Sequence, residues 1–99
     1  MRAGVTMKTH RQAIIHLLER GPISARELSQ ALRIREKDVY DHLAHVRRSM
    51  AGRGLRLTVQ PFACLKCGYV FKQRKRFTRP GRCPHCRGTY LEEPLYVIE

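Results

Sequence analysis

The sequence predicts an α+β fold, and three observations carry that reading. Three runs before residue 52 repeat apolar residues at helical spacing. Two short runs, Leu55–Gln60 and Leu95–Glu99, have the alternation or the β-branched and aromatic content of strands. Between them lie four cysteines in two pairs, Cys64-Leu-Lys-Cys67 and Cys83-Pro-His-Cys86.

The first helix is expected over residues 8–20, with Thr9 as its N-cap and Ile14, Leu17 and Leu18 on one face. Gly21 supplies a stop and Pro22 forbids continuation. Ser24-Ala-Arg-Glu27 reads as a capping box, because the hydroxyl accepts from the N3 amide and the carboxylate reaches back. It opens a second helix that buries Leu28, Ala31 and Leu32. Arg33-Ile34-Arg35 makes a short turn. A third helix runs from about Glu36 to Met50, with Val39, Leu43, Val46 and Met50 turned inward, and Gly52 and Gly54 end it. Three helices with a short turn before the third form a helix-turn-helix. Leu55, Leu57 and Val59 then alternate with Arg56, Thr58 and Gln60 as a half-buried strand, and Leu95–Glu99 is its partner.

The cysteine spacing, C-x2-C-x15-C-x2-C, is the signature of a four-thiolate zinc ribbon. Each pair can hold two sulfurs about 3.5–4 Å apart around one metal, at bonds of roughly 2.3 Å. Four sulfurs complete the tetrahedron and leave no position for water or substrate, so the Zn2+ is structural and iron is the less favoured occupant. Two disulfides would require a secreted chain, and residues 1–13 hold no apolar signal-peptide core. A redox dithiol would require one pair, not two. The expected compartment is therefore the cytoplasm. A ribbon of about 30 residues cannot fold on apolar burial alone. Metal binding must stabilise it, at an apparent value on the order of 10 kcal/mol. The helices are expected to keep a separate core that survives loss of the ribbon.

Both cysteine pairs fall between the two strands. The expected architecture is a three-helix winged helix-turn-helix with a small β zinc ribbon inserted in the wing. Residues 1–60 form the helix-turn-helix with the first wing strand, 61–93 the ribbon, and 94–99 the returning strand.

Cys64-Leu-Lys-Cys67-Gly68-Tyr69 and Cys83-Pro84-His-Cys86 resemble the two metal knuckles of a rubredoxin. With the helices before them, nearly the whole chain resembles a family of small prokaryotic proteins, predicted transcriptional regulators, in which a winged helix-turn-helix carries a rubredoxin-like zinc ribbon. That resemblance implies DNA binding.

The formal charge of +12 on 99 residues points to a polyanion. No basic amphipathic helix with exposed Trp or Phe suggests a membrane surface, and no apolar run approaches a membrane span. Duplex DNA is the expected partner. RNA or a ribosome, and a protein partner for an interaction adaptor, are the alternatives. Oligomeric state is left open. In a winged helix the third helix reads bases, which nominates Lys37, Tyr40, Arg47 and Arg48. Its exposed face also carries Glu36, Asp38 and Asp41, a poor surface to press on phosphates. Glu36 and Asp38 suit the helix dipole, and Asp41 lies i,i+4 from His45.

The denser basic region spans the knuckles and the loop that joins them, where eight cations from Lys66 to Arg87 meet no acid. Within it, Lys72, Arg74, Lys75, Arg76 and Arg79 are expected phosphate contacts, with Phe77 the candidate for base stacking. The five histidines show no metal spacing. No Ser-His-Asp, paired-carboxylate or phosphate-loop arrangement appears, so the chain reads as a non-enzyme.

Overall fold

The computed structural model describes residues 9–72 and 74–99. Helix α1 spans His10–Glu19, α2 Ala25–Leu32 and α3 Glu36–Gly52. The strands are β1 (Ile23–Ser24), β2 (Leu57–Val59), β3 (Phe62–Ala63), β4 (Val70–Phe71) and β5 (Leu95–Ile98). The expected start of the first helix at Lys8 lies outside the described residues, as does Gln73 in the basic run.

Local chemistry accounts for each helix boundary. Thr9 and Gln12 form a capping box on α1, with Gln12 N–H donating to Thr9 Oγ1 at 3.2 Å and Thr9 N–H to Gln12 Oε1 at 3.0 Å. Gly21 then takes φ +141°, which ends the helix where the sequence places its stop. Ser24 and Glu27 make the same reciprocal pair at 3.1 Å on α2. Arg33 closes α2 in the left-handed region at φ 56°, the conformation for which a glycine is commoner. Arg35, at the N-cap of α3, makes no side-chain cap; its Nε donates to Asp38 Oδ2 at 3.2 Å instead.

The helices pack one face each into a common core. Ile14, Leu18, Leu28, Val39, Leu43, Val46 and Met50 are buried. Ala31 is exposed and Leu32 half-buried, so the inward face of α2 is narrower than its apolar pattern suggests. Each large aliphatic side chain so buried contributes roughly 1.5–3 kcal/mol of transfer free energy.

Beneath the helices lies an antiparallel sheet in the order β1-β5-β2. Leu57 pairs with Ile98 and Val59 with Tyr96 on one side of β5, and Ile23 pairs with Tyr96 on the other. β1 was not expected from sequence. Its two residues carry no periodicity, and Ser24 both pairs in the sheet and caps α2.

The ribbon is built on the hairpin β3-β4, with Phe62 opposite Phe71 and their rings stacked at 4.5 Å. Cys64 bridges to Leu91 on the other side. The expectation of two separate cores is overturned. Phe62 and Phe77 of the ribbon segment join the helical core in one cluster with Tyr96. The Tyr96 ring meets Phe77 edge-on at 5.6 Å, and its hydroxyl donates to the Phe77 carbonyl.

Tyr96 is fully buried, and burial holds its phenol above the ordinary pKa of 10.0. The folded state therefore favours the neutral phenol. This contribution is complete below pH 10 and is lost as pH rises above it, at up to about 1.4 kcal/mol per pH unit. Replacing Tyr96 by Phe should cost about 1–2 kcal/mol at neutral pH, because the Phe77 carbonyl loses its buried partner. The same change should flatten the decline in denaturation midpoint between pH 9 and pH 11. An unchanged decline would assign the alkaline sensitivity to another group.

Candidate metal centre and basic face

Two copies of one local motif position the sulfurs. In the first knuckle, Gly68 N–H donates to Cys64 O at 2.9 Å, while the amides of Lys66 and Cys67 point at Cys64 Sγ at 3.4 and 3.5 Å. In the second, Arg87 N–H donates to Cys83 O at 2.8 Å, His85 N–H to Cys83 Sγ at 3.4 Å, and Gly88 N–H to Cys86 Sγ at 3.4 Å. Each turn closes on a left-handed residue, Gly68 at φ 82° and Arg87 at φ 61°. Space is tight at Gly88: a Cβ there would stand 3.2 Å from Cys86 Sγ and 3.3 Å from Lys66 Cδ, so one of them would have to give by a few tenths of an ångström.

The two knuckles face each other. Cys64 Sγ lies 3.6 Å from Cys86 Sγ, and Cys67 Sγ lies 3.6 Å from Cys83 Sγ. All four sulfurs fall within 4.8 Å of one another. A tetrahedron with bonds of roughly 2.3 Å has edges of about 3.8 Å, so the cage fits zinc. No pair is at disulfide distance, which is about 2.05 Å, and all four thiols are free.

The thiols are unequal. The Cys67 amide, helped by the Lys66 amide and neighbouring sulfurs, pulls Cys64 down to about 6 against the effect of burial. Burial, the largest influence on Cys83, pushes it up, but the amides of Cys86 and His85 and the adjacent sulfurs leave it lowered. The Tyr69 amide favours the Cys67 thiolate, yet desolvation and the three other sulfurs outweigh it and push the group up to about 12. Four thiolates cannot crowd together without a cation among them. Zinc provides that cation, and its loading releases protons.

The basic segment between the knuckles does not project freely. Arg47 Nη2 donates to the Lys75 carbonyl at 2.6 Å, and its guanidinium lies 3.9 Å above the Phe77 ring. Arg79 meets Glu36 at 3.7 Å. These contacts lie near opposite ends of α3, so residues 75–79 run lengthwise along that helix. Arg74 folds onto the Thr78 carbonyl at 2.7 and 3.1 Å.

The nine nominated nucleic-acid residues therefore divide. Lys37, Arg48, Lys72, Lys75 and Arg76 have exposed side chains. Arg47, Arg74 and Arg79 hold the segment in place. Tyr40 is half-buried beside it and donates to Glu36 at 3.4 Å. Phe77, expected to stack on bases, is buried instead; the exposed aromatics of the ribbon are Tyr69 and Tyr90. Sequence reasoning missed the Arg47–Phe77 contact, because 30 residues of chain separate two side chains with no shared periodicity.

Two facing knuckles of two cysteines each, the first in a β-hairpin, joined through a shared core to a three-helix unit, define a zinc-ribbon protein with an N-terminal helical domain. The chain belongs to the PF0610-like family: residues 9–58 match its N-terminal domain, and residues 61–99 match the PF0610 rubredoxin-like zinc beta-ribbon domain. It is similar to protein PF0610 from Pyrococcus furiosus, whose solution NMR structure is 31% identical over 100% of this chain and 93% of that one, with a TM-score of 0.76. No curated protein matches the chain.

Acid should release the metal, because protonation of the thiolates competes with zinc. Titration below pH 6 with a zinc-sensitive dye should show that release, with loss of ribbon structure. Gly88→Ala should lower zinc affinity on the order of tenfold by pressing on a ligand sulfur. A chelator competition that finds wild-type affinity would show that Cys86 can move aside.

Proposed function

We propose that the protein is a cytoplasmic DNA-binding transcription regulator, with α2 and α3 as a helix-turn-helix and the ribbon segment in the place of a wing. One observation carries this reading: the basic segment lies beside the exposed stripe of α3. At 100° per residue, Lys37, Asp41, Ala44 and Arg48 share one stripe, opposite the buried Val39, Leu43, Val46 and Met50. Glu36, Tyr40 and Arg47, which meet the segment, lie roughly 80° to one side. A duplex that received the stripe in its major groove would bring its flanking phosphates toward Lys72, Lys75 and Arg76.

The acidic character of α3 is a smaller obstacle than its sequence suggests. Glu36 is paired with Arg79, and Asp38 with Arg35 at 3.2 Å. Both pairs are partly exposed, so they orient and neutralise more than they stabilise. Asp41 remains on the stripe itself. Four unpaired thiols fit a reducing compartment. Among the described residues no helix is long and apolar enough to cross a membrane. A second reading, an adaptor docking on another protein, draws support from Leu65, Tyr69, Val70 and Tyr90, which the ribbon leaves exposed.

The test separates positioning from reading. Changing Lys72, Lys75 and Arg76 together to Ala should weaken binding to all duplex sequences alike. It should also reduce the slope of log affinity against log salt by about 3. Changing Lys37 or Arg48 to Ala should alter the preference within a random-sequence library. Asp41→Asn should strengthen non-specific binding a few-fold and leave the midpoint of unfolding within about 0.5 kcal/mol. Absence of duplex binding at low salt would sink the proposal and favour the adaptor.

A further inference from the structure

A groove of about 640 Å³ lies between α3, the edge strand β2 and the start of the basic segment. That volume is within the range of small-molecule sites. Its floor is largely apolar, with Ala51, Leu55 and Pro61 accessible and the core residues Leu57 and Val59 reached along the backbone of β2. Its rim carries Arg47, Arg56, Lys72, Arg74 and Lys75. Among the described lining residues Glu99 is the one acid, and Thr58 donates to it at 3.4 Å. Arg47 and Arg74 are hydrogen-bonded to carbonyls, which use part of their N–H donors and do not cancel their charge. Arg56, Lys72 and Lys75 are exposed at the mouth.

We propose that this groove binds a small organic anion with an apolar body and a single carboxylate head. The apolar floor selects the body and the cationic rim selects the charge. A duplex backbone supplies only the charge, and would leave the floor wet. The occupant touches both α3 and the segment that α3 holds, and it draws on Lys72 and Lys75. Resting on the DNA-binding reading above, its binding weakens the hold on DNA, because one anion displaces another from the same cations. The groove is thus an effector site.

The probes are octanoate and naphthoate, titrated into the zinc-loaded full chain and followed by amide NMR shifts. Octanamide, naphthamide and inorganic phosphate are the controls. Both carboxylates should give saturable shifts centred on Ala51, Leu57 and Lys75, and the amides should bind about tenfold more weakly. Ala51→Phe fills the groove from an exposed helix position without changing charge, and Arg56→Glu reverses one rim charge. Each should weaken probe binding at least about tenfold while zinc content and helicity stay as in the wild type. Equal binding of the amides, equal shifts from phosphate alone, or full binding by Ala51→Phe would overturn the site. Probe saturation should also lower duplex affinity several-fold in the wild type but not in Ala51→Phe. Intact probe binding with no duplex binding in either protein would overturn the DNA reading and the effector role while leaving the groove standing. Duplex binding with no probe shifts would overturn the groove alone.

Discussion

Tyr96 stands where the two halves of the molecule meet. It occupies the central strand of the sheet, pairing with Ile23 on one side and Val59 on the other, and its ring and hydroxyl both engage Phe77. Chain order makes this a constraint. The central strand follows both of its partners in chain order, and the ribbon lies between it and β2. The sheet cannot close until the ribbon has returned the chain to it, and Tyr96 cannot be satisfied until residue 77 is in place. Metal binding at the knuckles shortens that return, since linking Cys67 to Cys83 reduces the entropy of closing a long loop. Folding of the helical part and loading of the metal are therefore coupled through one buried side chain.

Legibility in the sequence followed the range of the interactions. Helix limits were readable because their causes are local: Ser24 with Glu27, Gly21 with Pro22, the apolar stripe from Val39 to Met50. Thr9 was readable as an N-cap, while its reciprocal partner Gln12, equally local, was not anticipated. The metal cage was readable because thiolate chemistry restricts spacing. The position of the basic segment was not, because it depends on Phe77 finding Tyr96 and Arg47 finding Phe77. Phe77 shows the limit plainly. An aromatic among cations reads as a stacking residue, and only the tertiary structure reveals that it is the anchor that lays those cations down. Ala31 errs in the other direction, apolar in pattern and exposed in fact, because α2 is short and buries only Ala25 and Leu28.

The same anchoring explains how so basic a chain arranges its charge. Eight cations from Lys66 to Arg87 would repel one another if all were free to crowd the same solvent. Two of these cations, and one arginine of α3 that meets them, are tied down by specific contacts. Arg79 turns to Glu36, Arg74 to a carbonyl of its own loop, and Arg47, reaching across from α3, spreads its charge over an aromatic face. Arginine suits all three roles, since its planar fork can donate to carbonyls and stack at once. Lys72 and Lys75, like Arg76 and Arg82, are left exposed; for the lysines, a compact, strongly hydrated charge favours water over a fixed contact.

The metal bears on function without touching a partner. Zinc closes two turns whose amides already point at the sulfurs, and the segment between those turns is pinned along α3 by contacts at residues 75, 77 and 79. A flexible segment of the same composition would carry the same net charge, but it would lose conformational entropy each time it was ordered on a polyanion. With both ends held at the cage and its middle held on Phe77, that cost is met during folding. Under the proposed DNA-binding function, the cations would then meet a duplex already aligned with the helix beside them. On this view zinc acts as a preorganising element, and its loss would remove the alignment of the basic face while leaving every cation in the chain.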